Sequence, residues 1–271
     1  MNYVRFGDRK GRASIFQIDC KVVENAKISA NAFKLVLKSG EISSAAKPGQ
    51  FVSILVPEKT LRRPISICEI NRENATVTLA YEVKGEGTKW LSCCKYDDRI
   101  NVLGPVGNGF ILPGGVKKVA AIGGGIGSPP LLFALQEFAK QGASCDAYLG
   151  FRNSSHIILQ NEFEKTCEDV IVTTDDGSNG NKNFAINPLL ERISEYDLLI
   201  ACGPEAMLKA VQKNAAEHNL PAQISLEKRM ACAVGICVVC ACKTHNSEQE
   251  AYSRACKDGP VFNADEVIFD E

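Results

Sequence analysis

Residues 118–130 read Lys-Val-Ala-Ala-Ile-Gly-Gly-Gly-Ile-Gly-Ser-Pro-Pro: an apolar run, a glycine turn and a double proline. The apolar run predicts a strand over 118–122. The prolines open a helix over 129–140, because the first helical turn has backbone N–H positions that need no partner inside the helix. A glycine turn between strand and helix lets the backbone approach a pyrophosphate, with the helix N-terminus facing it. The same residues also suit a tight turn packed on a sheet, and they depart from the GxGxxG fingerprint because Ser128 stands where its third Gly would be. Residues 119–136 carry no charge, but four Gly and two Pro among them exclude a transmembrane helix.

Working outward toward the C-terminus, apolar runs at 145–151, 170–174, 198–202 and 223–226 alternate with helical stretches at 159–166, 187–193 and 205–218. Continuous apolar strands of this kind belong to a parallel sheet covered by helices on both faces. A second loop, Ala201-Cys202-Gly203-Pro204, closes one of the strands and opens a helix, as the far edge of the same crevice would. Toward the N-terminus the rhythm is different. Short β-rich runs at 15–23, 33–37, 51–56, 65–70, 76–83 and 99–103, with one short helix at 88–93, predict a small antiparallel barrel or sandwich. The fold class is therefore multidomain β plus α/β, with a β-barrel domain over 1–112, a nucleotide-binding α/β domain over 113–226 and a small C-terminal segment over 227–271.

The 271 residues are 45% hydrophobic and 23% charged, so a packed soluble protein is expected rather than a disordered one. Lys plus Arg is 31 and Asp plus Glu 32, and the net charge of -1 offers no basic footprint for nucleic acid or for an anionic membrane. Residues 1–10 carry Arg5, Asp8, Arg9 and Lys10 without an apolar core, so no secretory signal is read there and the expected location is cytoplasmic. Twelve Cys in a reducing compartment are not expected to form disulfides.

Four of them have ligand spacing: Cys232-x4-Cys237-x2-Cys240, then Cys256 after fifteen residues. This is the plant-type arrangement for a 2Fe-2S cluster held by four thiolates. The intervening Ala233, Val234, Gly235 and Ile236 allow backbone N–H groups to turn toward the sulfurs. A structural zinc site or buried free thiols are the alternatives; zinc sites usually show paired CxxC units, and only one is present. Cys242, two residues beyond Cys240, reads as packing.

In the first segment, Leu61-Arg62-Arg63-Pro64-Ile65-Ser66-Ile67 and then Gly85-Glu86-Gly87-Thr88 join an Arg to a helix N-terminus, a combination able to hold a diphosphate. Taken alone, the arginine pair also reads as a solvated surface feature. The order of these motifs, Arg-Pro-Ile-Ser and Gly-Thr followed by Gly-Gly-Gly-Ile-Gly and Cys-Gly-Pro, resembles the ferredoxin-NADP reductase family over about residues 15–226. The last segment, from Glu227-Lys228-Arg229-Met230-Ala231-Cys232 to Cys256-Lys257-Asp258-Gly259-Pro260-Val261-Phe262, is similar to the electron-transfer subunits of type B dihydroorotate dehydrogenases. A related subunit of flavin-based NADH:ferredoxin:NADP reductases has Asp in place of the first ligand, where this chain has Cys232.

The resemblance implies three cofactors. FAD would contact Arg63, Pro64, Ile65 and Ser66, with Ala80, Tyr81 and Glu82 on the neighbouring strand and Gly87 and Thr88 at the short helix. NAD would lie on Gly123, Gly124, Gly125 and Gly127, with its nicotinamide bordered by Cys202, Gly203 and Pro204. The 2Fe-2S cluster would be held by Cys232, Cys237, Cys240 and Cys256. No residue of this chain is expected to act on orotate, since that chemistry needs a partner FMN chain with a (β/α)₈ barrel of about 250 residues.

The implied partnership is a heterotetramer of two such chains with two catalytic chains, serving de novo pyrimidine (UMP) biosynthesis. A flavin and iron-sulfur reductase serving another acceptor such as ferredoxin is the second reading, and a metal-stabilised nucleotide-binding regulator the third. Arg152 after a strand leaves NAD against NADP open, with the family favouring NAD. The apolar loop of Ala233, Val234, Ile236, Val238 and Val239 is expected to pack partly inward and partly on the partner.

Overall fold

The computed structural model describes residues 4–6, 14–246 and 249–269. The first half is a barrel built from β1 (Val4–Phe6), β2 (Ile15–Lys27), β3 (Ala32–Lys38), β4 (Phe51–Ile54), β5 (Arg63–Asn71), β6 (Thr76–Glu82) and β7 (Arg99–Val106). The strand order is β1-β2-β3-β6-β5-β4-β7, and the pairing of β2 with β7 closes six of the strands into an antiparallel ring. The expected barrel or sandwich is thus a closed barrel, which leaves no free edge among those six strands.

Alternation fills it: Val22, Leu35, Leu37, Val52, Ile54, Ile65, Ile67, Val77, Leu79, Tyr81, Ile100 and Val102 form the barrel core. Two helices accompany the strands, α1 (Gly40–Ala45) and α2 (Glu86–Ser92). The sequence reading expected only the second. The first has a legible signal, since Ser39 Oγ caps it by accepting from Ile42 N at 3.3 Å.

The second half is a sheet of β8 (Lys118–Gly124), β9 (Ser144–Phe151), β10 (Asp169–Thr174), β11 (Leu198–Cys202) and β12 (Ala222–Ser225), all parallel in the order β10-β9-β8-β11-β12. Its helices are α3 (Pro129–Lys140), α4 (Gln160–Glu164), α5 (Ile186–Leu190) and α6 (Glu205–Glu217). One face packs on α3 and α4 through Val119, Ala121, Ala147, Leu149, Leu131, Leu135 and Phe163. The other packs on α5 and α6 through Ala120, Ile122, Leu189, Leu199, Leu208 and Val211.

Helix α3 is buried nearly all round because it also faces the barrel, where Phe133 joins the barrel core. The outward faces of β5 and β6, carrying Cys68 and Ala80, meet the core of the sheet domain.

The last segment forms a hairpin of β13 (Ala241–Asn246) and β14 (Gln249–Arg254), followed by β15 (Val261–Asn263), which returns to the large sheet antiparallel to β12. Sequence periodicity gave no sign of this return, because three residues are too few to show a period. Cys240, Ala255 and Cys256 pack with Ala233 against Phe51, Leu103 and Val106 of the barrel. The segment is therefore held by both larger units. Among the described residues no helix is long and apolar enough to cross a membrane.

Candidate functional site

The loop between Cys232 and Cys240, the expected ligand loop, runs through left-handed backbone at Ala233 (φ 59°), Gly235 (φ 82°) and Val238 (φ 61°). For a β-branched residue such as Val238 this conformation is a genuine outlier. The turns direct N–H groups at sulfur: Ile236 N and Cys237 N donate to Cys232 Sγ at 3.3 and 3.4 Å, and Cys256 N donates to Cys240 Sγ at 3.4 Å. Burial opposes the ionised form of Cys232, yet the backbone donors of Cys237, Val234 and Ile236 together bring its thiol down to about 6. Burial, reinforced by the neighbouring Cys240, pushes Cys256 up to about 12.

Cys232 interacts with Cys237 through its side chain, and Cys256 with Cys240 and, by charge, with Cys232. Among the described residues no three His, Cys, Asp or Glu side chains group around one ion. Backbone N–H donors at Cys232 and Cys240 sulfur favour their ionised forms, which either iron or zinc would need.

Beside the ligand loop lies a cavity of about 1070 Å³ whose walls come from all three parts of the chain. Leu61, Arg62, Arg63 and Pro64 line it from the barrel, Gly203, Pro204 and Glu205 from the sheet domain, and Met230, Val239, Ala241 and Lys243 from the last segment. The two arginines have separate work. Arg62 is consumed by the barrel, donating to Ser53 O at 3.1 Å and Asn101 Oδ1 at 2.7 Å, whereas Arg63 bonds only the nearby Leu61 O at 2.5 Å and lies across Gly87. A Cβ on Gly87 would sit 2.5 Å from Arg63 Nε, so α2 can carry no side chain there without displacing the guanidinium. Arg62 is therefore tied into the barrel rather than solvated, while Arg63 stays partly exposed at the cavity wall.

Ser66 lies on the outward face of β5, with Ala80 and Glu82 outward on β6. Ile65 and Tyr81 turn into the barrel core, Tyr81 stacking on Phe33 and donating to Asn25 Oδ1 at 3.2 Å, so they can offer only backbone atoms outside. The Thr88 hydroxyl is engaged at the start of α2, accepting from Lys84 N at 2.9 Å and Gly85 N at 3.3 Å.

The glycine loop meets the Cys202 loop at van der Waals distance. A Cβ on Gly124 would fall 2.6 Å from Pro204 Cδ, and one on Gly127 would fall 2.5 Å from Cys202 O. Gly123 is closed in by Ser128. Gly125 alone of the four, at φ +53, faces open space. Thus three of the expected pyrophosphate glycines are required by packing, and Gly125 is the one that leaves room for a ligand. Burial holds the Cys202 thiol up at about 12, so it is protonated at neutral pH.

Comparison with known proteins gives two matching family models. The iron-sulfur cluster binding domain of dihydroorotate dehydrogenase B matches residues 227–268, and the oxidoreductase NAD-binding domain matches residues 121–213. A dihydroorotate dehydrogenase B (NAD(+)) electron transfer subunit from a Geobacillus species is 38% identical over 252 residues, covering 91% of this chain and 96% of that protein. Its counterpart in Fusobacterium nucleatum is 39% identical over 258 residues, 92% of this chain and 97% of that one. The chain belongs to the dihydroorotate dehydrogenase B electron-transfer subunit family.

Among solved structures, an NADH-dependent reduced ferredoxin-NADP oxidoreductase chain superposes with a TM-score of 0.82 at 28% identity, covering 93% of this chain and 90% of that one. The ferredoxin reductase of carbazole 1,9a-dioxygenase shares the fold, with a TM-score of 0.66 at 20% identity over 76% of this chain and 67% of that one. With the membership of this family come its iron-sulfur, NAD-linked and flavin chemistry as an oxidoreductase subunit.

Within this dihydroorotate dehydrogenase B family member, sequence reading left two neighbours of the site, Met207 and Arg254, unnamed and gave Met230 no role beyond its place in the 227–232 motif. Met207 packs under Gly203 and Gly124. Met230 touches the core around Cys240 and also lines the cavity. Arg254 reaches back over the ligand loop. A lone Met or Arg carries no spacing signal, so only the fold reveals them. Cys242, read as packing, lies in the core on the α6 side of the sheet, apart from the barrel-side core that holds Cys240 and Cys256, with its thiol donating to Ser253 O at 3.4 Å.

Proposed function

We propose that this chain is the electron-transfer half of a dihydroorotate dehydrogenase B. It passes electrons from a partner FMN chain, through a 2Fe-2S cluster and FAD, to NAD in cytoplasmic pyrimidine biosynthesis. The observation that carries the reading is the shared cavity: the Arg63 corner of the barrel, the Cys202 loop of the sheet and the cluster segment open on one space. A flavin in that space would border residues from all three parts of the chain, which supports the reading. FAD bound there would supply the junction between a one-electron carrier and a hydride acceptor.

The residues of the chain do the placing. Arg63 holds a diphosphate by charge-assisted hydrogen bonds, with the backbone at Gly87 and Thr88 beside it. Ser66 offers its hydroxyl on the outward barrel face, and Pro64, Ile65, Ala80, Tyr81 and Glu82 contribute surface or backbone. Gly125 leaves the pyrophosphate its space, while Gly123, Gly124 and Gly127 keep the two loops close enough for Cys202, Gly203 and Pro204 to border a nicotinamide. Cys232, Cys237, Cys240 and Cys256 ligate the irons. The barrel domain is taken as 1–112, the NAD domain as 113–226 and the cluster segment as 227–271, with β15 as the segment's anchor in the sheet.

Arg63→Ala removes the cation without touching the barrel bonds made by Arg62. Flavin occupancy after purification should fall about tenfold or more, as expected for loss of a charge-assisted contact of roughly 1.5–3 kcal/mol. Absorbance of flavin released on denaturation, per mole of protein, measures it.

Docking on the partner is expected through the exposed part of the ligand loop. Val234 is half-buried against the Cys240 core, whereas Ile236 is 80% exposed and Val238 and Val239 flank it in the open. Ile236, rather than the packed Val234, is therefore the residue to charge. The test mixes the chain with an FMN dihydroorotate dehydrogenase chain and follows NAD reduction by dihydroorotate. Both chains should be required, in two-plus-two complexes by sedimentation, and the isolated chain should reduce dyes with NADH but never orotate. Ile236→Asp should cut the coupled rate about tenfold at sub-saturating partner while sparing dye turnover. A chain that stays monomeric with the FMN chain present and reduces ferredoxin instead would favour the other reductase reading.

A further inference from the structure

Arg254 closes β14 and turns its guanidinium over the ligand loop. Nη1 donates to Gly235 O at 3.0 Å, while Nε and Nη2 donate to Asp258 at 2.9 Å (Oδ2) and 3.3 Å (Oδ1). Asp258 Oδ2 also accepts from Arg254 N at 2.9 Å, and Asp258 N donates to Arg254 O at 2.8 Å. The pair thus brackets Cys256 in the chain and is tied to the loop between Cys232 and Cys237. Both side chains are about a third exposed, 32% and 34%, which leaves their charges in a medium well short of bulk water. The stem of Lys257 lies on Gly235 from the same side.

We propose that the Arg254–Asp258 pair sets the reduction potential of the iron-sulfur site, the guanidinium favouring the reduced form and the carboxylate opposing it. This rests on the reading that the four cysteines hold a 2Fe-2S cluster. Reduction there adds one electron, taken from the partner's flavin or from NADH through FAD, and so one negative charge to a centre already bearing four thiolates, with no bond made or broken. A fixed positive charge lowers the energy of that added electron and a fixed negative charge raises it. Flexible surface cations are screened and average out. Arg254 is different because three bonds fix its guanidinium, one of them to the ligand loop itself.

A purely structural clamp makes another forecast. If Arg254 and Asp258 served only to hold the loop, cutting either would loosen the same bonds and disturb the cluster in the same sense. If they act through charge, the two cuts must shift the potential in opposite directions.

The experiment is an EPR-monitored redox titration of the purified chain, with iron content measured first. Arg254→Gln should make the one-electron reduction equilibrium about tenfold less favourable, a fall of about 59 mV. Asp258→Asn should move it the other way, and Arg254→Lys, which keeps the charge, should stay near the parent value. Should R254Q lose its iron, D258N and R254K decide: a rise in the first with little change in the second supports the assignment. Shifts of the same sign in R254Q and D258N, no shift with iron intact, or loss of iron from both would overturn it. A parent chain without iron or sulfide would instead refute the cluster reading beneath it.

Discussion

Cys240→Ser and Cys256→Ser should each yield protein without iron, from about two irons per chain to nearly none, while FAD remains bound. Both residues are almost fully buried, at 2% and 1% exposure, and Cys256 N already points at Cys240 Sγ. A serine hydroxyl is a poor iron ligand and cannot be replaced by water at so closed a position. Cys232→Ser and Cys237→Ser should lose the cluster as well, with Cys237 the milder because its side is exposed. Cys242→Ser is the internal control. Its thiol sits at 5% exposure in the α6-side core, and burial holds it up at about 11, so it remains a protonated packing group. Iron and sulfide analysis with visible spectra checks the series; iron lost from C242S and kept in C240S would reverse the ligand assignment.

Gly125→Val should abolish useful NADH oxidation, with kcat/KM falling about a hundredfold or more, and should leave flavin and cluster spectra as they were. Misplacing a bound reactant by about an ångström already costs that much. Two effects add here. The valine side chain would project into the open space above the turn, and the backbone at φ +53 would hold a β-branched residue under strain. Substitution at Gly124 or Gly127 is a different experiment, because a side chain there collides with Pro204 or Cys202 and disrupts the loops themselves. Steady-state rates with NADH and a dye acceptor decide, and an unchanged KM for NADH in G125V would remove Gly125 from the site.

The sequence alone was enough for the two larger units. The runs at 118–122, apolar after Lys118, and at 198–202, apolar throughout, became parallel neighbours β8 and β11, and the helix over 129–140 lies where its two prolines open it. The strand alternation in 65–70 and 76–83 became inward Ile67 and Leu79 with outward Cys68 and Ala80. What periodicity could not separate was Arg62 from Arg63, or the packing glycines from the open one. Adjacent residues of one type look alike until their partners are in place.

Period, spacing and residue chemistry, which are local in the chain, determined that there is an antiparallel β unit and a parallel sheet, and they supplied the spacing on which the four-cysteine ligand set is proposed. Distances between parts of the chain were left to the tertiary structure. Closure of β2 on β7, the return of β15 to β12, the contact of Gly124 with Gly203, and the cavity joining Arg63 to Met230 all depend on which buried surfaces meet. So does the placing of Arg254 over Gly235, nineteen residues away. Each of these follows from burying one apolar face against another, and a face finds its mate through shape and area rather than through any pattern written along the chain.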